Sequence, residues 1–566
     1  MTSVYLHPAV SICVVLALAT SMTAAVADEQ SDSKQTSSAL PLPAQQVAAK
    51  IDGFLESHWI AHQVQPADRA DAATFLRRLM LDLNGRIPTT NELDEFLSDK
   101  SDDKRRKMVD RLINGPEFPL HIGSVLDQMV QTRYAGNKDF LDYMRKSVRD
   151  SKSWDTIFRE LMLGPWDTEQ SKPSNRFLDK RAKKSDVLAV DAARVFFGVD
   201  ISCAKCHDHP LVDDWKQEHF YGMVAFFNRT TGGKGKVGEK NEGEVTFLGA
   251  DGKENVAKVM FLSGQVIEEP TAATAKSDKE KLPPFSRREQ LVKVAIEQQK
   301  YFSRAIVNRL WGYFFGQGLI HPVDQMHSGN ESAIPGLLEW LSEDFANSNY
   351  DLRKLVTALV NSRAYQLSSR WEQGSPLPAP TRFAAATLRP LSQRQLAFSL
   401  LQATGNADIS EPNDIQSRVE RYTGVTGLRR IEQYLTIEKQ ATNLTSSLDP
   451  RSDDFHSSVA EALFMSNNAA TQELIAGETD NLSAQLNEIQ DNRVLVKQAV
   501  NTILSRQPSE DELTRLSEWL ADTNKLNDKA NDKLNDKGSG EANDRRKAIE
   551  QLVWSLITSA EFRFNH

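Results

Sequence analysis

Residues 186–207 read DVLAVDAARVFFGVDISCAKCH and contain the two patterns that decide the fold and the candidate site. Over Asp186–Phe197, apolar residues recur at three- and four-residue spacing, which predicts an amphipathic helix. Cys203 and Cys206 follow shortly after this helix, with His207 directly behind them. The sequence therefore places its most distinctive chemical groups next to a packed helix.

The C-x-x-C-H spacing is typical of a c-type haem attachment site. Each thiol forms a thioether to a haem vinyl group, and the adjacent imidazole is an axial ligand of the iron. We therefore predict one covalent haem c per chain, with Cys203 and Cys206 as anchors and His207 as the ligand of the haem iron. Electron transfer or another haem-based redox reaction is the function that this cofactor implies.

Three residues are candidates for the sixth iron ligand or for the wall of the haem pocket. Met223 would give a His/Met iron with a raised potential, whereas His219 would give a bis-His iron with a lower one. His209 lies only two residues after His207, so a pocket role suits it better than ligation of the same iron. Packing in an aromatic helix is the competing interpretation of Met223.

Two other interpretations of the cysteine pair stay open. Cys203 and Cys206 would hold zinc if one or two of His219, His321 and His327 returned to them, although zinc sites usually add a distant second pair of ligands. Alternatively, the two thiols form a short disulfide. Either arrangement would suit a non-redox extracytoplasmic scaffold or binding protein.

The N-terminal residues predict export. An apolar stretch from Ala9 to Ala27 contains Cys13 and ends in small residues before Asp28, as in a secretory signal peptide. A retained membrane anchor is the alternative, and no later stretch is long and apolar enough to span a bilayer. We expect a periplasmic or extracellular location, where c-type haem is attached and disulfides persist.

Length and composition predict a multidomain globular protein. The 566 residues are 40% hydrophobic and 26% charged, and the formal net charge is −9. This acidic balance argues against nucleic acid as a partner, because phosphate binding requires clustered cations. The redox partner is not indicated. Composition shifts divide the chain into a signal peptide (1–27), a flexible leader (28–45), a first domain (46–270), a linker (271–284) and a second domain (285–566) with a low-complexity insert (522–544).

Helical periodicity dominates both domains, so we predict a mostly α, multi-helical fold in two parts. The predicted helices are Ala70–Leu83, Asn91–Leu97, Lys104–Ile113, Lys138–Arg149, Trp154–Leu163, Asp186–Phe197, Lys216–Asn228, Arg287–Phe315 as one helix or two, Ile334–Ala346, Asp351–Ser362, Ser392–Thr404, Ser457–Met465, Arg493–Ser505 and Arg545–Phe562.

One small β-hairpin is predicted near residues 244–262, with strands Glu244–Leu248 and Ala257–Leu262 around Asp251 and Gly252. Before it, the glycine- and lysine-rich residues 232–236 predict a flexible cationic loop. No glycine-rich phosphate loop, nucleophile elbow or H-E-x-x-H sequence is present, and no residue is predicted to be a general acid or base.

Several segments resemble the planctomycete-type cytochrome c-like domain PSCyt, followed by the planctomycete-specific domain PSD, both of unknown function. The segments similar to PSCyt are Arg77–Leu79, Asp82–Gly85, Ile87–Thr89, Val109–Leu112, Val195–Gly198, Cys203–Pro210, His219–Gly222 and Ala225–Phe227; those similar to PSD are Ala305–Trp311, Phe315–Ile320, Leu338–Leu341, Ser362–Gln366 and Ser559–His566. The resemblance implies an exported, cytochrome-like protein. Residues 119–132 depart from the tryptophan-rich pattern of the family.

Overall fold

The structure is a computed structural model that describes residues 41–169, 171–209, 212–249, 252–270, 283, 285–407, 428–445, 469–477, 480–531 and 539–566. The predicted signal peptide, the leader up to residue 40, most of the linker 271–284 and the predicted helix 457–465 lie outside these residues. Among the described residues, none of the helices combines the length and the apolar character that crossing a lipid bilayer requires.

The first half of the described chain consists of ten helices and two hairpins. In chain order these are α1 (Ala44–Ala61), α2 (Ala72–Asn84), α3 (Thr90–Ser98), α4 (Lys104–Ile113), α5 (Glu117–Gln131), α6 (Lys138–Arg149), α7 (Trp154–Leu163), α8 (Arg176–Asp179), α9 (Ser185–Phe197), α10 (Gln217–Phe227), β1 (Thr230–Gly233), β2 (Lys236–Glu239), β3 (Thr246–Leu248) and β4 (Glu254–Val256). Antiparallel pairing joins β1 to β2 and β3 to β4.

The second half is helical except for one short sheet. Its elements are α11 (Arg287–Glu297), α12 (Gln299–Phe315), α13 (Leu337–Asn347), α14 (Leu352–Asn361), β5 (Arg389–Pro390), α15 (Gln393–Ala403), α16 (Leu428–Leu444), α17 (Ala469–Ile475), α18 (Leu482–Asn487), α19 (Asn492–Leu504), α20 (Glu510–Asn531), α21 (Ser539–Ile557), α22 (Ala560–Arg563) and β6 (Phe564–Asn565). The mostly α prediction is confirmed, and α4, α6 and α7 have the predicted bounds.

Local capping explains where several helices begin and end. The Asp71 side chain accepts a hydrogen bond from the Thr74 N–H (2.9 Å) at the start of α2. Thr89 and Glu92 form a reciprocal capping box at the start of α3, as their spacing indicates. Gly198 ends α9 in the left-handed conformation (φ 67°), which glycine adopts without steric cost.

The β structure is more extensive than predicted. A hairpin lies near residues 244–262, but its second strand is β4, which precedes the predicted Ala257–Leu262; there, Met260 forms an isolated bridge with Val266. The predicted flexible loop 232–236 is instead the end of the β1–β2 hairpin, because Gly233, Lys234 and Gly235 adopt positive φ angles that close a tight turn. β5 and β6 form a third two-stranded sheet.

The largest apolar core draws on both halves of the chain, from Val47 to Ala384. For example, Phe302 on α12 lies 4.8 Å from Phe158 and 6.4 Å from Trp154, measured between ring centroids, and both partners belong to α7. A second cluster unites α15 with α17–α22 and includes Leu81 of α2. Helix α2 therefore packs into two cores.

Asp82 on α2 joins three distant parts of the chain. Its carboxylate is fully buried and accepts hydrogen bonds from the Tyr365 hydroxyl (2.8 Å), the Arg389 guanidinium (2.7 Å) and the Asn565 amide (2.8 Å). Burial, and then the Asp82 charge, raise the pKa of Tyr365 well above its usual value, so this tyrosine stays a neutral donor. Asp82 thus fixes α2 against the β5–β6 sheet.

We predict that Asp82→Ala lowers the free energy of unfolding by about 3–5 kcal/mol, because it leaves a buried guanidinium, hydroxyl and amide without their shared acceptor. Urea unfolding followed by circular dichroism measures this loss. Asp511→Ala removes an exposed ion pair to Arg515 and serves as the matched control, which should change little. Equal effects of the two substitutions would contradict the role of Asp82.

The buried side chain of Asp127 on α5 should make the stability of the protein depend on pH. Burial raises the pKa of Asp127 to about 6, against 3.8 for an ordinary aspartate, although the Gly136 N–H and Arg145 oppose the shift. The stability that comes from protonated Asp127 is complete below pH 3.8 and is lost as the pH rises through about 6. We expect Asp127→Asn to remove this loss, which amounts to about 3 kcal/mol at neutral pH. Unfolding curves of the wild-type and Asp127→Asn proteins between pH 4 and 8 test this expectation. If the free energy of unfolding depended on pH in the same way in both proteins, the role of Asp127 would be refuted.

Candidate functional site

The C-x-x-C-H segment forms one exposed turn between α9 and α10. Ser202–Lys205 is a single 3-10 turn, in which side chains three residues apart lie on the same side. Cys206 directly follows this turn, and Cys203 and Cys206 are both exposed and not bonded to each other. Ala204 between them is fully buried and anchors the turn in the core.

Two ion pairs to α9 hold the turn. Lys205 binds Asp186 (2.8 Å), a contact that lowers the pKa of Asp186. Arg194 binds Asp200 (2.7 Å), which also accepts a hydrogen bond from the Ser202 N–H (2.9 Å). Burial alone would raise the pKa of Asp200, but the bonds from Arg194 and Ser202 outweigh it and lower the pKa. Both carboxylates thus stay charged and fix the turn.

Helix α10 and the β3–β4 hairpin support the other side of the turn. The Gln217 side-chain amide donates hydrogen bonds to the carbonyl groups of Leu248 (3.0 Å) and Cys206 (3.4 Å). The Tyr221 hydroxyl donates to the Lys205 carbonyl (3.2 Å), and its ring stacks on Phe247 at 4.4 Å and 10°. The hairpin is therefore coupled to the cysteine turn through α10.

The tautomers of two histidines follow from their hydrogen bonds. The His207 Nδ1 lies 2.6 Å from the Asp208 carbonyl oxygen. Because a carbonyl can only accept, this Nδ1 carries a proton, and in the neutral imidazole the exposed Nε2 then has the lone pair that an axial ligand requires. The His219 Nδ1 instead accepts a hydrogen bond from the Lys216 N–H (3.2 Å), so neutral His219 carries its proton on Nε2. Of the two, His207 is prepared for ligation.

The remaining predicted residues lie in different surroundings. Met223 on α10 is fully buried in the main core, so its sulfur contacts core side chains in this arrangement. The backbone N–H of His209 donates to the Trp215 carbonyl (2.8 Å), which fixes the loop between the turn and α10. His219 and His327 line a separate groove of about 690 Å³. The structure thus has His207 directly behind the cysteines, Met223 in the core and His219 at the separate groove.

Within the described residues, no three histidine, cysteine, aspartate or glutamate side chains come together as a metal site. The histidines considered as partners for a zinc-binding cysteine pair therefore do not converge on it in this structure.

A shallow cavity of about 270 Å³ adjoins the turn at Ser202 and Lys205. Val187, Val190 and Phe220 give it an apolar wall. Its lining cations are in ion pairs: Arg133 with Asp191, Lys205 with Asp186 and Arg194 with Asp200. The apolar wall suits a porphyrin, which is a flat hydrophobic ring. The free thiols, the Nε2 lone pair of His207 and this cavity all fit covalent haem attachment.

Comparison with known families matches most of the chain. Residues 50–232 match PSCyt2, a protein of unknown function (DUF1549), and residues 287–520 match PSD1, a protein of unknown function (DUF1553). The chain carries a PSCyt2 segment followed by a PSD1 segment. The order of the two segments is the predicted one, and the PSCyt2 segment contains the complete cysteine turn. No curated protein and no solved structure matches the chain.

The sequence did not reveal which residues support the turn of this PSCyt2 segment. Asp186 and Lys205 are 19 residues apart, and Gln217 contacts Leu248 over 31 residues. Only the composition of α9, with acidic and basic residues on an otherwise apolar helix, pointed to polar contacts there. The supporting contacts depend on how α9, α10 and the hairpin pack.

We predict that both thiols of the haem-free protein react with a small thiol reagent without unfolding, since both are exposed. A Cys13→Ser background leaves only these two cysteines, and the absorbance of the released thiolate counts them. Two equivalents should react in native buffer and none in the Cys203→Ala/Cys206→Ala control. Reaction only after addition of denaturant would show that the turn is covered.

Proposed function

We propose that the protein is an exported c-type haem protein that transfers electrons, with the haem bound covalently to Cys203 and Cys206. His207 is the axial ligand in this proposal. The observation that carries it is the exposed turn itself, in which two free thiols and the next imidazole all lie at the surface, with the His207 Nδ1 held by the Asp208 carbonyl. When bound, the haem supplies a one-electron redox centre.

The residues around the turn have defined roles in this proposal. Lys205 and Arg194, paired with Asp186 and Asp200, hold the backbone that bears the thiols. The Asp208 carbonyl fixes the orientation and tautomer of His207, as a hydrogen-bonded partner of a ligating histidine usually does. Together these contacts prepare the attachment geometry before the cofactor arrives.

The surroundings of the candidate sixth ligands favour an iron without a ligand from Met223 or His219. Met223 is enclosed by the core, and a group attached to the exposed turn would reach it only by displacing core side chains. Burial lowers the pKa of His219, so this residue stays neutral with its proton on Nε2. A low potential and reactivity towards small ligands would follow from such a site.

Exposure of the turn favours exchange of electrons with another protein. A redox centre at the surface can approach a partner closely, whereas a centre in the core could not. We propose an extracytoplasmic location, which the predicted signal peptide supports because c-type haem is attached outside the cytoplasm.

A reduced-minus-oxidised pyridine haemochrome spectrum tests the proposal directly. The protein is produced with its own signal sequence in a host that matures c-type cytochromes, beside the Cys203→Ala/Cys206→Ala variant. We expect a covalent haem c spectrum that the variant lacks. Met223→Leu should keep both the spectrum and the midpoint potential, because Met223 packs in the core.

A folded, colourless protein would overturn the haem proposal. Metal analysis and thiol counting of the same sample would then separate the alternatives at these cysteines, a zinc site or a disulfide in a non-redox scaffold. A lowered potential in Met223→Leu would instead retain the haem and show that Met223 is the sixth ligand of the iron.

A further inference from the structure

A cavity of about 830 Å³ opens between α6, residues 169 and 172–180, and the turn that joins β1 to β2. None of the residues of the cysteine turn lines it, and its volume suits a small-molecule ligand. Its most conspicuous feature is positive charge, because five cationic side chains line it: Lys146, Lys172, Arg176, Lys180 and Lys234.

The five cations make few contacts within the described part of the chain, although the Arg176 charge acts to lower the pKa of the buried Asp127. Across the described part of the chain, none of them forms an ion pair or a side-chain hydrogen bond. The Nε of Arg176 is also buried, so neither protein nor solvent satisfies it. Burying a donor without an acceptor costs free energy, and an acceptor supplied by a ligand would recover it.

Four carboxylates also line the cavity, one fewer than the cations. Asp142 lies 4.0 Å from Arg145, and Asp179 accepts hydrogen bonds from backbone N–H groups of the β1–β2 turn. Asp139 and Glu169 are the two lining carboxylates that remain. The cavity lining therefore has an excess of one positive charge.

The β1–β2 turn places its own Lys234 at this cavity. Lys234 adopts a positive φ of 56° between Gly233 and Gly235, which is an unfavourable conformation for a lysine. Asp179 accepts hydrogen bonds from the N–H groups of Gly233 (2.7 Å) and Gly235 (3.3 Å), and the Asn175 amide donates to the Gly235 carbonyl (2.7 Å). These contacts maintain the strained turn and thereby the position of Lys234.

We propose that this cavity binds a small ligand that carries several oxyanion groups. The four lysines supply point charges, and the planar Arg176 guanidinium can pair with two oxygens of one group. The inference is independent of the haem site, because the two sites share no residue.

Isothermal titration calorimetry of the full chain tests the proposal with inorganic tripolyphosphate, sulfate and citrate as probes, which distinguishes phosphate, sulfate and carboxylate ligands. The cavity variant is Lys172→Gln/Lys180→Gln/Lys234→Gln. The control, Lys293→Gln/Lys497→Gln/Lys547→Gln, removes the same charge from lysines that do not line the cavity. We expect at least about tenfold weaker binding for the cavity variant, little change for the control, and weakening by salt.

Asp179→Ala distinguishes the effect of positioning Lys234 from the effect of the total charge of the cavity. Removing an anion from a cationic cavity would tighten anion binding if charge alone mattered, whereas release of the β1–β2 turn would weaken it. We expect weaker binding, with the fold verified by circular dichroism. Equal losses in the cavity and control variants, or no binding of any probe by the wild-type protein at low salt, would overturn the proposal.

Discussion

The buried carboxylate of Asp82 is the interaction on which the arrangement of the chain depends. An uncompensated charge at this depth would be costly, so Tyr365, Arg389 and Asn565 must all reach it. Each partner comes from a different part of the second half of the chain. The requirement to satisfy one carboxylate therefore determines where the β5–β6 sheet and the residues beyond α14 lie.

Two further buried arginines on the same helix reinforce this arrangement. Arg77 donates to the carbonyl groups of Ile503 (3.3 Å) and Phe562 (3.0 Å), and Arg78 donates to the carbonyl of Leu367 (2.9 Å). Main-chain carbonyls near helix ends are good acceptors for a buried guanidinium, since several of them lack helical partners. Helix α2 thus connects two apolar cores through polar contacts that an apolar interface alone would not orient.

The sequence predicted the helices well because helical periodicity is local information. The helix Lys104–Ile113 needed only its own apolar spacing, and Thr89 with Glu92 marked the start of α3. The β1–β2 hairpin was missed because its turn depends on Asp179, 54 residues from Gly233, and glycines alone indicate flexibility. The network of Asp82 was also not predictable, since its partners lie 283 to 483 residues away. Likewise, spacing identified Cys203, Cys206 and His207 but not the tautomers that distinguish His207 from His219.

The attachment of the cysteine turn to α9 has a consequence for any charge that resides there. Phe196 and Phe197 on α9 are fully buried. The same helix carries Asp186 and Arg194, whose ion pairs with Lys205 and Asp200 hold the turn. Atoms in such a frame can shift little when a neighbouring charge changes. When the turn gains or loses an electron, the atoms that rearrange would therefore be mainly those of the solvent. The rate of electron exchange would then depend on how completely an approaching molecule displaces this water.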